Sequence, residues 1–158
     1  SKEKIKKLDI EPIIKSVVED FKNIYTLKRG IKISYENDGN NRYYIYGIGN
    51  RIEQIIANLL DNAISFSEDN TDIIVKVSKI KDNQVVVSVL DEGQGFKEKD
   101  TTKIFKRFYS NRPDKFGEHS GLGLNIVKNL VDLHNATIKA SNRIDKKGAS
   151  MEIIFPQV

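Results

Sequence analysis

Four uncharged polar residues recur about one helical turn apart between residues 51 and 67. They are Gln54, Asn58, Asn62 and Ser65, and this spacing places their side chains along one edge of a helix. Asparagine amides can offer an oxygen to a hard cation and hydrogens to phosphate oxygens. The stripe therefore indicates contacts with phosphate or a metal, and the alternative is a solvent-facing stripe that happens to be rich in amides.

A second candidate begins at Asp91, directly after a predicted buried strand over residues 84–90. Gly93 and Gly95 follow at a spacing that permits a tight turn and close approach of the backbone to a ligand. A carboxylate at a strand end can accept a hydrogen bond from the exocyclic amine of adenine, whereas it would repel a phosphate. An ordinary Asp-Gly turn is the alternative.

A third candidate is the glycine pair Gly121 and Gly123, which opens a predicted helix after Ser120. Backbone N–H groups at a glycine-rich helix N-terminus can bind an anion, and the helix dipole favours this. The alternative is a helix capped by serine with two incidental glycines. The spacing is neither that of a Rossmann fold nor that of a Walker loop, so both nucleotide folds are excluded here.

The composition narrows the class of protein. The 158 residues suit one domain, and the absence of cysteine excludes disulfides, thiolate metal sites and a cysteine nucleophile. No segment of the sequence is as long and apolar as a membrane span. The net charge of +4 suits an acidic partner such as a nucleotide. Because the basic residues are scattered among acidic ones, a nucleic-acid groove is disfavoured.

The elements that must position these candidates follow from hydrophobic periodicity. We expect residues 1–7 to be frayed or to continue an upstream helix, and residues 37–41 to join the first two strands as a hairpin. His134 is expected to be a cation at the end of the last helix. Helices are predicted over residues 10–27, 51–67 and 122–134, and strands over 32–36, 43–46, 72–80, 84–90, 136–141 and 149–155. This order predicts an α/β two-layer sandwich, a mixed sheet with helices on one face.

The candidate motifs occur in one order along the chain, and together they resemble those of sensor histidine kinases. The segments at residues 58–63 (NLLDNA), 91–95 (DEGQG), 104–109 (IFKRFY) and 121–124 (GLGL) are similar to the N-box, first glycine box, F-box and second glycine box. Residues 148–151 (GASM) look like the last glycine box. The resemblance implies the Bergerat ATP-binding fold of gyrase, heat-shock chaperone and mismatch-repair ATPases, with a long ATP lid over residues 97–119.

The resemblance also implies a role for each matching residue. Asn58 would coordinate magnesium and, with Gln54, would be the catalytic candidate, while Asn62 and Ser65 would lie beside the phosphates. Asp91 would bind the adenine amine. The remaining nucleotide contacts would come from the glycine boxes and the lid, where Phe105 and Phe108 would be anchors and Arg107, Arg112 and Lys115 would be cations. The residues expected to contact the nucleotide from the glycine boxes and the lid are Gly93, Gly95, Phe105, Phe108, Arg112, Ser120, Gly121, Leu122, Gly123 and Leu124.

Three departures from the family pattern bear on function. Ser65 stands where many members have a lysine that reaches the phosphates, and Ala149 replaces a threonine near the adenine. Gln54 stands where the hydrolytic relatives have a glutamate as general base, and an amide cannot take a proton. Glu53, the adjacent acidic residue, lies about 100° further round the helix than Gln54 and therefore points elsewhere. The glutamine at position 54 favours phosphate transfer to a protein over hydrolysis. Ser65 would instead weaken phosphate binding or leave that contact to a lid cation, and Ala149 would remove one polar contact to water beside the adenine.

The resemblance implies that a histidine accepts the phosphate, but neither of the two histidines in the sequence, His119 and His134, lies in a helical phosphoacceptor motif. We therefore expect residues 9–158 to be a catalytic ATP-binding domain and residues 1–8 a charged linker from a dimerisation and phosphoacceptor domain. The expected partners are that domain and a response regulator, with no nucleic acid. The fragment is expected to be monomeric, and to be the cytoplasmic part of a sensor anchored in the inner membrane through upstream segments.

Two other functions stay open. One is a non-kinase ATPase or nucleotide-binding module of the same fold, and the other is a serine kinase of the anti-sigma type, which needs no histidine domain. Fold alone does not distinguish them.

Overall fold

The computed structural model describes residues 4–40, 42–98, 100–106 and 122–158 of the chain. The helix predicted from the amide stripe is present as α2, Gly49–Phe66. Its apolar face is fully covered because residues at i, i+3, i+4 and i+7 share one side of a helix. Burying each such leucine or isoleucine stabilises the fold by about 1.5–3 kcal/mol. The buried apolar residues are Ile52, Ile55, Ile56, Leu59, Leu60, Ala63 and Ile64.

The first helix, α1, spans Ile10–Arg29, with the predicted residues at both ends. The Asp9 side chain accepts a hydrogen bond from the Glu11 N–H at 3.1 Å, as an N-cap does. Gly30 ends the helix in the left-handed conformation, at φ 64°. The Arg29 guanidinium then bonds to the carbonyl oxygens of Ile64 and Ser67, at 2.9 and 2.6 Å, and so satisfies the C-terminal end of α2.

Five strands form one mixed sheet, against which α1, α2 and the third helix, α3 (Leu122–Leu133), pack on one face. The central strand is β5, whose run of valines predicts burial, and Val85, Val86, Val87 and Val89 are all buried. The strands in spatial order are β2 (Lys32–Asn37), β4 (Asp72–Lys79), β5 (Val85–Leu90), β7 (Ala149–Phe155) and β6 (Thr137–Asn142). The predicted α/β two-layer sandwich is confirmed.

The hairpin expected around residues 37–41 is wrong. β2 pairs in parallel with β4, while β3 (Tyr44–Gly47) belongs to a separate two-stranded sheet. Asp38 explains the separation, because its carboxylate accepts hydrogen bonds from the Lys79 N–H at 2.8 Å and from the Tyr43 hydroxyl at 2.5 Å. The bond from Lys79 ties the turn to the end of β4. The bond from Tyr43 comes from a side chain, so it does not pair the backbone of β2 with that of β3.

The partner of β3 is β1, Lys6–Asp9, which pairs with it in antiparallel register from Lys6 opposite Gly47 to Asp9 opposite Tyr44. Residues 6 and 7 are thus strand, not frayed chain or helix. Their charged side chains hid this pairing, since a strand in a small exposed sheet needs little apolar character. Lys7 also lies 4.8 Å from the ring centre of Tyr44, a cation–π contact.

His134 is not the exposed helix-end cation that was expected. It is buried, its Nε2 accepts a hydrogen bond from the Ile48 N–H at 3.1 Å, and its Nδ1 lies 2.7 Å from the Leu130 carbonyl oxygen. The Leu130 carbonyl pairs with a donor at Nδ1 and the Ile48 N–H pairs with an acceptor at Nε2, so both sides of the ring are held by backbone groups. His134 therefore joins the end of α3 to the start of α2.

Candidate nucleotide-binding site

Asp91 follows the last residue of β5, at the centre of the sheet, and is only 3% exposed. Its Oδ1 accepts hydrogen bonds from the Gly93 N–H at 2.8 Å and from the Ala149 N–H at 3.1 Å. No residue in the described part of the chain donates to Oδ2. The geometry thus holds one carboxylate oxygen in place and leaves the other, which is not completely buried, as an acceptor for a ligand.

The electrostatic state of Asp91 reflects its position. Burial raises the pKa of its carboxyl above the usual value, while the N–H groups of Gly93 and Ala149 and the charge of Arg143 act in the opposite direction. A buried carboxylate with a perturbed pKa at a strand end is typical of a functional site. As an ionised group, it can only accept hydrogen bonds.

Two of the glycines are required by close contacts around Asp91. A Cβ at Gly93 would lie 2.7 Å from the Phe66 carbonyl oxygen, at the end of α2. A Cβ at Gly148 would lie 2.0 Å from the Asp91 carbonyl oxygen, and Gly148 has φ +139°, which side-chain-bearing residues rarely adopt. The first and last glycine boxes therefore meet at Asp91.

The turn after Asp91 is also braced by the end of β6, which the sequence analysis did not detect. The Asn142 amide forms two hydrogen bonds with the backbone of Phe96, as acceptor from N–H at 2.6 Å and as donor to the carbonyl at 2.9 Å. Arg143 donates to the Asp91 carbonyl oxygen at 3.1 Å. In the sequence, Asn142 and Arg143 are marked only as polar residues a few positions before the last glycine box. Their contacts with Phe96 and Asp91 depend on the register of the sheet, which the sequence pattern does not give.

The amide stripe is less exposed than its polar composition indicated. Gln54 and Asn58 are half-buried, but Asn62 and Ser65 are 6% and 4% exposed. The C-terminal half of the stripe is thus buried, and the turn at Gly93 lies against the same end of α2, at the Phe66 carbonyl oxygen. The Ser65 hydroxyl donates to the Asn62 carbonyl oxygen at 2.8 Å, within the helix.

The second glycine box lies at the start of α3. Among the described residues, no atom lies within 4 Å of a Cβ built at Gly123, so the described part of the chain leaves this backbone uncovered. Leu124 packs partly against the core, and Leu122 is the first residue of the helix. The F-box residue Phe105 is 7% exposed and belongs to the core, and its carbonyl accepts a hydrogen bond from Asn125 at 3.2 Å. Phe105 thus anchors the chain against α3.

Several predicted contacts lie outside the described residues, namely Arg107, Phe108, Arg112, Lys115, His119, Ser120 and Gly121.

A metal would have few ligands from this part of the chain. Among the described residues, no three histidine, cysteine, aspartate or glutamate side chains are grouped so that they could hold an ion. Asn58 offers an amide oxygen halfway along α2. Magnesium is commonly bound through one or two protein oxygens together with substrate phosphates and water, and a single amide fits that arrangement. Over the same residues, no helix combines the length and apolar character needed to span a membrane.

The comparisons with known proteins agree with this geometry. Sensor protein ChvG of Agrobacterium fabrum (strain C58) is 37% identical over 148 residues, which are 89% of this chain and 25% of ChvG. ArlS of Staphylococcus aureus (strain USA300), a signal transduction histidine-protein kinase, is 37% identical over 109 residues, or 66% of this chain and 23% of ArlS. The chain thus spans about a quarter of the length of these curated relatives.

Among solved structures, the nucleotide-free catalytic domain of histidine kinase ThkA matches with a TM-score of 0.83 at 26% identity, covering 98% of this chain and 96% of that domain. The sequence profile of one family covers residues 47–158, which include every part of the site described above. The chain therefore belongs to the histidine kinase-, DNA gyrase B- and HSP90-like ATPase family.

Proposed function

We propose that this chain is the ATP-binding catalytic domain of a sensor histidine kinase and transfers the γ-phosphate of ATP to a histidine on a separate dimerisation domain. The single observation that carries the proposal is the Asp91 carboxylate, buried at the end of the central strand with Oδ2 available as an acceptor. The family membership and the likeness to the ThkA catalytic domain support it.

Asp91 favours adenine over guanine for a simple reason. The adenine amine donates a hydrogen bond, whereas guanine carries a carbonyl oxygen at that position and would meet the carboxylate with repulsion. A site built to hydrogen-bond one edge of a ligand rejects an analogue that lacks the matching group.

Magnesium and the phosphates belong at the other end of the site. Asn58 would hold the ion through its amide oxygen, and the bound ion would neutralise phosphate charge during transfer. At the start of α3, where helix N–H groups favour an anion, none of the described residues covers the backbone at Gly123. Phosphoryl transfer depends mainly on this positioning and charge neutralisation.

The described residues favour transfer over hydrolysis. Gln54 is half-buried on the amide stripe and cannot take a proton from water, while Glu53 is exposed on the neighbouring face of α2. Without a base aimed at water, rapid hydrolysis is not expected. In the transfer, an imidazole nitrogen of the acceptor attacks the γ-phosphorus, the bond to the β–γ bridging oxygen breaks, ADP leaves, and the imidazole proton passes to a base outside this chain.

His134 is unsuitable as the acceptor, because it is buried and both of its ring nitrogens contact backbone groups. The proposal therefore assigns the acceptor to a dimerisation domain, to which residues 1–8 would connect residues 9–158, and a response regulator would receive the phosphate next. ThkA has been solved in complex with the response regulator TrrA, and ShkA in complex with AMPPNP. By the same analogy, this domain would function on the cytoplasmic side of a membrane-anchored sensor.

The test is a labelling experiment with radiolabelled ATP. The chain alone should bind ATP without labelling itself and should release phosphate slowly. Addition of a dimerisation domain that carries its histidine should give acid-labile label on that domain. Strong self-labelling would instead indicate a serine kinase, and rapid phosphate release without an acceptor would indicate an ATPase.

A further inference from the structure

Two residues at the end of β6, Asn142 and Arg143, contact the adenine-recognition turn from outside. We propose that both are positioning residues for adenine recognition: Asn142 fixes the backbone of the turn, and Arg143 holds Asp91 in place and in its ionised form. The inference rests on the proposed function of Asp91, but neither residue belongs to a glycine box or to the amide stripe.

Asn142 supplies side-chain hydrogen bonds to a turn whose backbone is not part of a helix or strand. Residues 91–96 are neither helix nor strand, yet the side-chain amide of Asn142 bonds to both the N–H and the carbonyl of Phe96. A Cβ at Gly95 would lie 2.5 Å from the Asn142 Oδ1, so the amide also lies directly against the glycine. Gly95 has φ +73°, and the two-bond clamp at Phe96 stabilises this conformation.

Arg143 is placed to act on Asp91 by charge. Its side chain is 4% exposed, and its guanidinium donates to the Asp91 carbonyl oxygen and forms a bidentate pair with Asp145. Its aliphatic part lies against Gly148, where an added Cβ would be 3.1 Å from the Arg143 Cδ. A desolvated cation beside a buried carboxylate favours the charged form of that carboxylate.

The other charged groups around Asp91 are few. Within the turn, Glu92 accepts a hydrogen bond from the Asp72 N–H at 2.7 Å and pairs with Lys146 at 3.2 Å. From the turn between β6 and β7, Asp145 and Lys146 face the same region as Arg143. On α2, residues 62–66 carry no ionisable side chain. Arg143 is therefore the cation with direct contact to Asp91 among the described residues.

The sign of the expected pH effect follows from these contacts. Adenine requires the ionised carboxylate, because a protonated one would present a donor to the amine. Burial raises the pKa of Asp91, and the charge of Arg143 opposes that rise. Loss of the charge should raise the pKa further, so adenine affinity should begin to fall at a higher pH as the solution is acidified.

The first experiment measures ADP affinity without magnesium, from pH 5.5 to pH 8, by calorimetric titration. Arg143→Gln should move the fall in affinity to higher pH. Arg143→Lys should restore the original pH profile, because it keeps the charge, but should still bind about threefold more weakly, because it loses the fork of hydrogen bonds. Arg42→Gln removes the same charge at a surface site beside Tyr44 and should match the unmutated chain.

The second experiment uses the same titration at pH 8. Asn142→Ala should weaken ADP and AMPPNP by the same factor of about ten, because the clamp acts on the base and not on the phosphates. Asn142→Asp should also bind weakly, since it cannot donate to the Phe96 carbonyl. Ser141→Ala, at the adjacent exposed position on β6, is the matched control and should bind normally.

Two results would overturn the inference: an unshifted pH profile in Arg143→Gln, or an ADP affinity in Asn142→Ala within twofold of the unmutated value. A weakening of AMPPNP alone by Asn142→Ala would also contradict it. Failure of the unmutated chain to bind ADP would instead contradict the proposed function itself, so the two failures are distinguishable.

Discussion

The two ends of the candidate site differ in how completely the fold prepares them. At the adenine end, Asp91 is buried, and one of its carboxylate oxygens accepts hydrogen bonds from two backbone N–H groups. The backbone of Gly148 lies so close to the Asp91 carbonyl oxygen that there is no room for a side chain. At the phosphate end, Asn58 is half-buried, and no atom of the residues that the structure describes lies within 4 Å of a Cβ at Gly123. Residues 107–121, which carry the other expected phosphate contacts, lie outside the described part of the chain.

The difference separates recognition from chemistry. Base recognition depends on the central strand and on turns that the sheet holds together, so it should be present in the isolated chain. Under the proposed function, phosphate transfer would depend on groups at the less buried end of the site and on an acceptor from another domain. Preorganisation of this kind increases affinity because little conformational freedom is lost on binding. Substitutions at the adenine end should therefore have larger and more specific effects on binding than those at the phosphate end.

The largest effect is expected for Gly148→Ala, which would place a Cβ 2.0 Å from the Asp91 carbonyl oxygen in a backbone conformation that alanine disfavours. We expect a loss of about 3 kcal/mol in the free energy of unfolding and no measurable ADP binding. Urea denaturation and calorimetric titration would measure both quantities.

Gly39→Ala is the matched control for Gly148→Ala. Gly39 also has a positive φ, +86°, but no atom of the described residues lies within 4 Å of the added Cβ. It should lose about 1 kcal/mol of stability and should bind ADP normally. Equal behaviour of the two variants would show that the contact between the glycine boxes is not needed for the adenine end.

The next effect is that of Asp91→Asn, an isosteric change that replaces an acceptor-only carboxylate with an amide. ADP affinity should fall about 100-fold, because a charge-assisted hydrogen bond to the base is lost, and the preference for ADP over GDP should shrink. Glu92→Gln alters the adjacent carboxylate, whose contacts are to Asp72 and Lys146, and should change affinity by less than about threefold. A fall of the same size in both variants would refute a specific role for Asp91.

A smaller effect, confined to the phosphate end, is expected for Asn58→Ala. Affinity for AMPPNP with magnesium should fall about tenfold as the amide ligand is lost, while ADP without magnesium should bind as before. The melting temperature should change little, because Asn58 is only half-buried. Glu53→Gln, on the exposed face of the same helix, provides the control. Unchanged AMPPNP affinity would exclude Asn58 as a magnesium ligand.

The smallest effect concerns stability without nucleotide. Because burial raises the pKa of Asp91 in the folded chain, its stabilising contribution is complete below the ordinary pKa and is lost as the pH rises through the raised value. Asp91→Asn resembles the neutral form at every pH. The variant should therefore be more stable than the unmutated chain at pH 7, and the advantage should disappear as the solution is acidified. A less stable variant at pH 7 would show that the charged form of Asp91 supports the fold.

The sequence predicted those features that depend on local spacing. The period of α2, the caps of α1 at Asp9 and Gly30, and the turn at Asp91 each follow from a few neighbouring residue types, and the structure contains all of them. The central position of β5 followed from its valines, because a run of apolar residues is typical of a strand in the middle of a sheet.

The features that were missed depend on pairing across the chain. The turn after β2 has the composition of a hairpin, but the bond from Lys79 to Asp38 attaches it to β4 instead. The braces at Asn142 and Arg143 exist only because the register of β6 and β7 brings them beside Asp91. Ser65 belongs to the polar stripe of α2, yet it is buried, and the turn at Gly93 from the distant first glycine box lies against that end of the helix.

The central claim is that the adenine end is complete in this chain without metal or partner. The most direct test is a calorimetric titration of the unmutated chain with ADP and with GDP in the absence of magnesium and of any acceptor domain. The account predicts that ADP binds at least about 100-fold more tightly than GDP. Equal affinity for the two nucleotides, or ADP binding that requires an added domain, would contradict it.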